Sequence, residues 1–411
     1  MYSIKKVTSL FLWLVMLLAA IPSKAQTFNG GRDDFRDETI YFVMTTRFYD
    51  GDPKNNVLSW DKQDVQMANN DPDWRGDFAG LIEKLDYIKA LGFTAIWITP
   101  VTQNASGEDY HGYHSMDFSS VDLRYESRKE WGSAKDVKFQ DLIDAAHAKG
   151  MKVILDIVLN HTSNFGEVYL NPLFTRDQNI RNQATPAGAL IPNYERLSSN
   201  YFDQDGNAQY QERFKYFKNP QYDNHNHYHH YGTGWNWDLP NRWWGQIAGD
   251  CVDLNTENDF VAEYLVECYG KFIEMGVDGF RIDTTGHISR LTFNAQFIPQ
   301  FTELAEKYKA KRNGGPFFMF GECCARFGSV IYRDQHNLSS HFYTWKSDAS
   351  LIEKFNSHTS QDWWDTQKLP EGHDSPVGPM IDCESEKSFN KNSTNVFMQN
   401  GAWHEPDYSE Y

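Results

Sequence analysis

Short apolar runs alternate with amphipathic stretches, and this alternation constrains the fold of the chain more than any other feature. "TIYFVMTTRF" (Thr39 to Phe48), "TAIWITP" ending at Pro100, "KVILDIVLN", "VDGFRID" and "PFFMFGE" read as strands. Their near-continuous apolarity marks strands buried on both faces. Between them, "DFAGLIEKLDYIKALG" places Phe78, Leu81, Leu85, Ile88 and Leu91 at helical spacing and closes on Gly92. "FQDLIDAAHAKG" is a helix stopped by Gly150, "DFVAEYLVECYGKFIEMG" is another, and a further helix is expected around Asn294 to Lys309. A parallel sheet with helices outside follows. A doubly wound sheet would need a Gly-rich phosphate turn after an early strand, and none is present. Asp156 and Asn160, Asp283, and Glu322 close three of the strands at their C-terminal ends, which is where an α/β barrel carries its active site.

At 411 residues the chain is long for one compact core, so a large barrel with an inserted domain, or two domains, is expected. The insert is the stretch from about Thr162 to Asp250, rich in Tyr, Trp, Asn and His, with few clear elements. This divides the chain into a leader over 1–25, a first barrel part over 26–161, a loop-rich insert over 162–250 and a second barrel part over 251–411. The leader is a secretory signal peptide. Lys5 and Lys6 precede an apolar run from Leu10 to Ile21, and Ser23 and Ala25 stand at the cleavage positions. The expected location is therefore outside the cytoplasm, periplasmic or secreted. That run is short for a membrane span, and no later segment qualifies.

A net charge of −17 argues against nucleic acid and anionic membrane surfaces as partners. Aromatic residues make up 15% of the chain, with 13 Trp and 22 Tyr, which suits neutral ring-shaped ligands such as sugars as well as a large aromatic core. The five cysteines, Cys251, Cys268, Cys323, Cys324 and Cys383, have a spacing that fits neither a metal site nor a disulfide framework.

Arg281 and Asp283 sit two apart and so share a strand face. By themselves they are either a structural ion pair or a nucleophile beside its guanidinium. Three further motifs bear on the choice. "DIVLNH" (Asp156, Asn160, His161), "GFRID" and "FGE" fall at three strand ends in this order, after "YHGYH" (Tyr110 to His114). Together they resemble the α-amylase family of glycoside hydrolases over roughly Thr39 to Glu322. The resemblance implies a (β/α)8 TIM barrel with a domain inserted after the third strand, and an α-glucan or maltooligosaccharide substrate. It also implies retaining cleavage, in which a carboxylate nucleophile works with a second carboxyl about 5–5.5 Å away as acid, then base.

By that resemblance Asp283 is the nucleophile and Glu322 the general acid/base. Arg281 would keep Asp283 ionised, and partial desolvation would raise the pKa of Glu322. Asp156 orients Arg281 or holds the barrel mouth together. His161 and Tyr113 line the subsite of the cleaved sugar, and His111 belongs with them. His287 either contacts the reducing-side sugar or offers a backbone ligand to a metal. Gly286 stands where many relatives have Lys, and His114 stands where the family often has Trp.

Calcium is expected at two places. "YDGDPKNN" puts Asp50, Asp52, Asn55 and Asn56 in one loop, all hard oxygen ligands. With Asp77 of "WRGDF" this resembles a calcium site of the cyclodextrin-glucanotransferase branch, the alternative being an Asx-rich turn. A second site at the junction of barrel and insert would use Asn160, Asp253 and the His287 carbonyl. Either ion would be structural. "HNHYHHYG" (His225 to Gly232) is read as a surface or substrate-rim loop rather than a transition-metal site. "GWNWDLPNRWW" offers either stacking surfaces for glucan or a small core.

The family's third catalytic carboxylate is an Asp preceded by His. His373 and Asp374 in a Pro-rich loop are a poor match, "SSHFYTW" is the expected sixth strand, and no seventh or eighth is legible. The expectation is a barrel of about six strands, truncated at its C-terminus and inactive or nearly so as a 411-residue chain. Sibling specificities remain open, namely cyclodextrin or pullulan cleavage and glucan transfer. So does a non-catalytic starch-binding relative. Oligomeric state is not legible.

Overall fold

The computed structural model describes residues 35–56, 75–104, 111–176, 190–235, 243–288 and 292–322, and the backbone of 331–332, 335–336 and 380–382. Six strands form one parallel sheet among the described residues: Ile40–Val43, Ala95–Ile98, Lys152–Val158, Gly279–Asp283, Phe318–Gly321 and Met380–Asp382, adjacent in that order. Every neighbouring pair is parallel, with Ile40 opposite Ala95, Ala95 opposite Lys152, Ile154 opposite Gly279, and Gly279 opposite Phe318.

Strand alternation sorts the side chains into two layers. Ile96, Ile98, Val153, Leu155, Ile157, Phe280, Ile282 and Met319 point outward into the large core shared with the helices. Helix Phe78–Ala90 answers with Phe78, Leu81, Leu85 and Ile88, and helix Asp259–Met275 with Leu265, Tyr269, Phe272 and Ile273. Burying each such Leu or Ile contributes about 1.5–3 kcal/mol. The opposite face holds a smaller cluster of Ala95, Trp97, Ile154 and Phe320. Arg281, Asp283 and Asp156 share the parity of that inner face, and Glu322 follows Phe320 by two. The catalytic candidates therefore sit at one end of the inner layer because the pattern of period two puts them there.

The helix boundaries have local causes. The Asp77 side chain caps Phe78–Ala90 by accepting from the Gly80 N–H at 2.7 Å. Asn258 caps Asp259–Met275 by accepting from the Phe260 N–H, and Gly276 ends it at φ 110°. No helix among the described residues is long and apolar enough to cross a membrane.

Three features differ from the sequence reading. The first strand ends at Val43, and Thr45–Arg47 forms a 3-10 turn, because Gly76 and Asp77 take the backbone carbonyls of Thr46 and Tyr49 out of the ladder. The 162–250 stretch contains a 12-residue helix, Gly206–Phe217, capped by Asp205 onto the Ala208 N–H; its polar composition hid it. The sixth strand of the sheet is Met380–Asp382, while "SSHFYTW" and the His373–Asp374 pair lie outside the described residues. The signal peptide, Cys323, Cys324, Cys383 and most of "GWNWDLPNRWW" also lie outside them. Cys251 and Cys268 are free thiols.

Candidate active site

Strand register assembles the site. Arg281 lies opposite Asp156 across the parallel pair, and the Glu322 N–H donates to the Ile282 carbonyl at 2.8 Å, so one strand end faces the next. Arg281 is the hub. Its Nη1 donates to Asp156 Oδ1 at 2.9 Å, to Asp156 Oδ2 at 3.1 Å and to Asp283 Oδ1 at 2.8 Å. Its Nη2 stands 2.8 Å from Glu322 Oε2. Three carboxylates converge on one buried guanidinium. Burial alone would push the Arg281 pKa down, but Asp156, Glu322 and Asp283 hold it well above its usual value.

Asp156 is fully buried and accepts two further hydrogen bonds on Oδ2, from Tyr113 Oη at 2.8 Å and Trp97 Nε1 at 3.1 Å. Burial pushes its carboxyl up to about 7, with the Arg281 charge opposing. Trp97 was not among the residues picked from sequence. The available signal was an indole at an inward position of a fully buried strand, where its N–H needs an acceptor.

Glu322 has a raised pKa because it is buried and because the Asp283 charge adds to that rise, while Arg281 opposes. Two backbone features fix Glu322. Thr284 adopts φ 47°, ψ 37°, a left-handed conformation that is costly for a β-branched residue, and its N–H thereby reaches Glu322 Oε2 at 3.3 Å. Gly321 is needed for contact: a Cβ there would lie 2.7 Å from the Thr285 side chain, whose hydroxyl donates to the Glu322 carbonyl at 2.6 Å.

The "YHGYH" residues 111–114 fold over this cluster. Gly112, at φ 101°, passes so close to Pro100 that a Cβ would sit 2.2 Å from its carbonyl oxygen. The Tyr113 N–H donates to His111 Nδ1 at 3.1 Å, and His161 Nε2 lies 3.1 Å from the Tyr113 carbonyl. Burial, reinforced by the neighbouring His114, brings both His111 and His161 down to about 4, so both rings are neutral near pH 7. His287 is buried in the turn Thr285–His287, edge-on to Trp235 at 4.6 Å.

The loop after the first strand has a different character. Asn55 Nδ2 donates to Asp77 Oδ2 at 2.8 Å and Asn56 Nδ2 to Asp50 Oδ2 at 2.5 Å. These bonds aim the amide oxygens the other way. Asp50 Oδ1, Asp52 Oδ2, Asn55 Oδ1 and Asn56 Oδ1 are buried with no hydrogen-bond partner. Asp77 ties the loop to its helix by accepting from the Gly51 and Asp52 N–H groups, and burial raises its pKa to about 6. Four hard oxygens left unpaired in one loop fit a calcium-type cation, since leaving each unpaired costs about 1–3 kcal/mol.

At the junction, His161 and Asp253 are opposite in an antiparallel pair. Asp253 Oδ2 is held by His229 Nδ1 at 2.6 Å, and His229 Nε2 by Glu257 at 2.6 Å. Asp253 Oδ1 is buried without a partner, and the Asn160 side chain reaches the same carboxylate. An unpaired carboxylate oxygen beside an amide also suits a cation. The histidine string is a surface loop only in part, with His225, Asn226 and Tyr231 exposed and His227 and Tyr228 buried. His229 is buried between two acids, which lift its pKa to about 10 against the effect of burial, and His230 bridges the Phe217 carbonyl and Asp223.

A parallel strand–helix sheet with convergent carboxylates at its strand ends defines a class of α/β-barrel proteins. Comparison with known proteins narrows it. The α-amylase catalytic-domain family matches residues 42–296. The chain belongs to the α-amylase family, whose fold is the (β/α)8 barrel. It is similar to the β/α-amylase of Paenibacillus polymyxa (33% identity over 282 residues, 67% of this chain and 18% of the relative). It is also similar to the α-amylase of Streptomyces lividans (34% over 286 residues, 64% and 29%) and to the cyclomaltodextrin glucanotransferase of Klebsiella oxytoca (30% over 306 residues, 70% and 38%). The chain spans less than two fifths of the length of each of these relatives.

Proposed function

We propose that this chain carries the catalytic centre of an exported, retaining α-glucan-active enzyme that cleaves α-1,4-glucosidic bonds in starch or maltooligosaccharides. The observation that carries the reading is the convergence of Asp283 and Glu322 on a single guanidinium, each with an oxygen 2.8 Å from it. Inverting cleavage needs carboxyl groups about 6.5–9.5 Å apart to admit a water between them; the retaining route uses the closer pair.

In the first step the Asp283 carboxylate attacks the anomeric carbon while Glu322 gives its proton to the departing glycosidic oxygen. The anomeric carbon–oxygen bond breaks and a glycosyl ester on Asp283 forms. In the second, the Glu322 carboxylate takes a proton from water, the water oxygen bonds to the anomeric carbon, and Asp283 leaves. The raised Glu322 pKa suits the first role, and Arg281 Nη1, donating to Asp283 Oδ1 at 2.8 Å, orients the carboxyl that attacks. Asp156 positions Arg281, and Tyr113, His111 and His161 form the wall against which the sugar ring rests.

Glucan transfer is the second reading, supported by the similarity to the Klebsiella oxytoca cyclomaltodextrin glucanotransferase. There an acceptor sugar hydroxyl replaces water in the second step. Calcium belongs to the same proposal, held by Asp50, Asp52, Asn55 and Asn56 with Asp77, and at the junction by Asn160, Asp253 and the His287 carbonyl. When bound it supplies structural charge neutralisation and no part of the bond cleavage. Incubating the protein with maltoheptaose and following the anomeric protons by NMR tests the reading. Initial products in the α configuration are expected, and initial β products would overturn it. Cyclic or lengthened glucans among the products would assign transfer.

A further inference from the structure

Beside the Tyr113–His161 wall, three side chains of unlike chemistry converge that the glycosidic mechanism leaves unused: His114, Asp250 and Cys251. Their ligand atoms all lie within 4.8 Å of one another. His114 Nε2 is 3.2 Å from Asp250 Oδ2, and Cys251 Sγ is 3.7 Å from Asp250 Oδ1. Zinc bonds of about 2.0–2.3 Å in tetrahedral arrangement place donor atoms about 3.3–3.8 Å apart, so the His114–Asp250 and Asp250–Cys251 pairs are already near coordination spacing.

The support is rigid where a site needs it to be. Cys251 opens the buried strand Cys251–Asp253, opposite Ser163. His114 is fixed by its own N–H, which donates to Asn104 Oδ1 at 2.9 Å, and by the strand Ser115–Val121 that follows. The Asp250 side chain is 52% exposed and gives an ion a way in from solvent. The donor set also differs from the two oxygen-rich places. A nitrogen, a sulfur and a single carboxylate oxygen suit a borderline-soft ion, whereas calcium takes oxygen alone.

We infer that His114, Asp250 and Cys251 form a three-ligand site for a zinc-class divalent cation at the rim of the carboxylate cleft, with its fourth position open to water. Binding forms one bond each to His114 Nε2, an Asp250 oxygen and Cys251 Sγ. The thiol proton passes to solvent, and the ion sheds the waters these atoms replace. A bound ion would tie the loop that carries Tyr113 to the strand that carries Asp253. The site is independent of the glucan reading, because its test reads binding rather than turnover.

The test is titration of the reduced full chain with zinc chloride in calcium-containing buffer, followed by calorimetry, with cobalt(II) as a spectroscopic substitute. The expected result is one saturable zinc site per chain and a thiolate-to-cobalt charge-transfer band. Cys251→Ser should abolish the band, and Asp250→Asn, at a half-exposed position, should weaken zinc by about tenfold or more. Absence of saturable zinc binding would overturn the inference. So would a band and affinity unchanged in both variants, which would place the ion on other residues.

Discussion

The barrel mouth gathers Asp and Glu oxygens and the loop after the first strand Asp and Asn oxygens, yet the two balance charge in opposite ways. At the mouth Arg281 supplies the cation, and Asp156, Asp283 and Glu322 each have an oxygen on it. In the loop four buried oxygens have no partner. Each acid of the first cluster has a cation of the chain beside it, while the oxygens of the second suit an ion from outside. Chemistry should therefore depend on the mouth, and stability on the loop.

The largest effect is expected at the mouth. Asp283→Asn keeps the shape and removes the proposed nucleophile, so turnover of maltoheptaose should fall on the order of 10⁴-fold, about 5.5 kcal/mol in barrier, with glucan binding retained. Steady-state kinetics with a binding measurement decides it, and unchanged turnover would exclude Asp283 as the attacking group. Next comes Arg281→Met, which leaves three buried acids without their cation. A stability loss of about 3–5 kcal/mol is expected in denaturant unfolding. A loss below about 1 kcal/mol would show that the carboxylates do not rely on the guanidinium.

The loop should respond to calcium and the mouth should not. With calcium at about 100 times its dissociation constant, chelation should cost about 2.7 kcal/mol of stability. Asp52→Ala should remove most of that calcium dependence. If chelation lowered stability equally in wild type and Asp52→Ala, the four unpaired oxygens would not be the site. At the junction, His229→Gln frees Asp253 from its orienting partner and should weaken a second, distinguishable calcium by about tenfold. Calcium isotherms of the two proteins make the comparison.

How much of this was legible in the sequence differs between the same regions. The two-residue spacing in "GFRID" is a local signal, so the shared face of Arg281 and Asp283 could be read without coordinates, whereas the register that sets Asp156 opposite Arg281 could not. The loop ligands were legible as residue types, but which of their oxygens lack partners depends on how Asn55 and Asn56 turn their amides. Trp97 bonds Asp156 from 59 residues away, and His229 bridges Asp253 and Glu257 across 24 and 28. Contacts at such separations leave no periodic trace. Helix Gly206–Phe217 was missed for another reason. Its sequence "GNAQYQERFKYF" is too polar for a core-facing stripe, and only the Asp205 cap announces it.

The smallest effect, and the sharpest test of the separation, lies in the pH profile. Glu322 must carry a proton to act on the glycosidic oxygen, and burial and Asp283 raise its pKa above the ordinary 4.5. The sign follows for activity and for stability. Because the folded carboxyl keeps its proton where the unfolded one has lost it, folding favours the protonated form, and Glu322's contribution to stability falls as pH rises above 4.5 towards the folded pKa. Above that pKa, kcat/KM should fall about tenfold per pH unit. Asp283→Asn removes the like charge and should move the Glu322 titration, followed by carboxyl NMR, to lower pH. Chelating calcium should lower the melting temperature and leave this titration in place. A Glu322 pKa that moved with calcium would join the two regions electrostatically and end the distinction between a mouth that balances itself and a loop that does not.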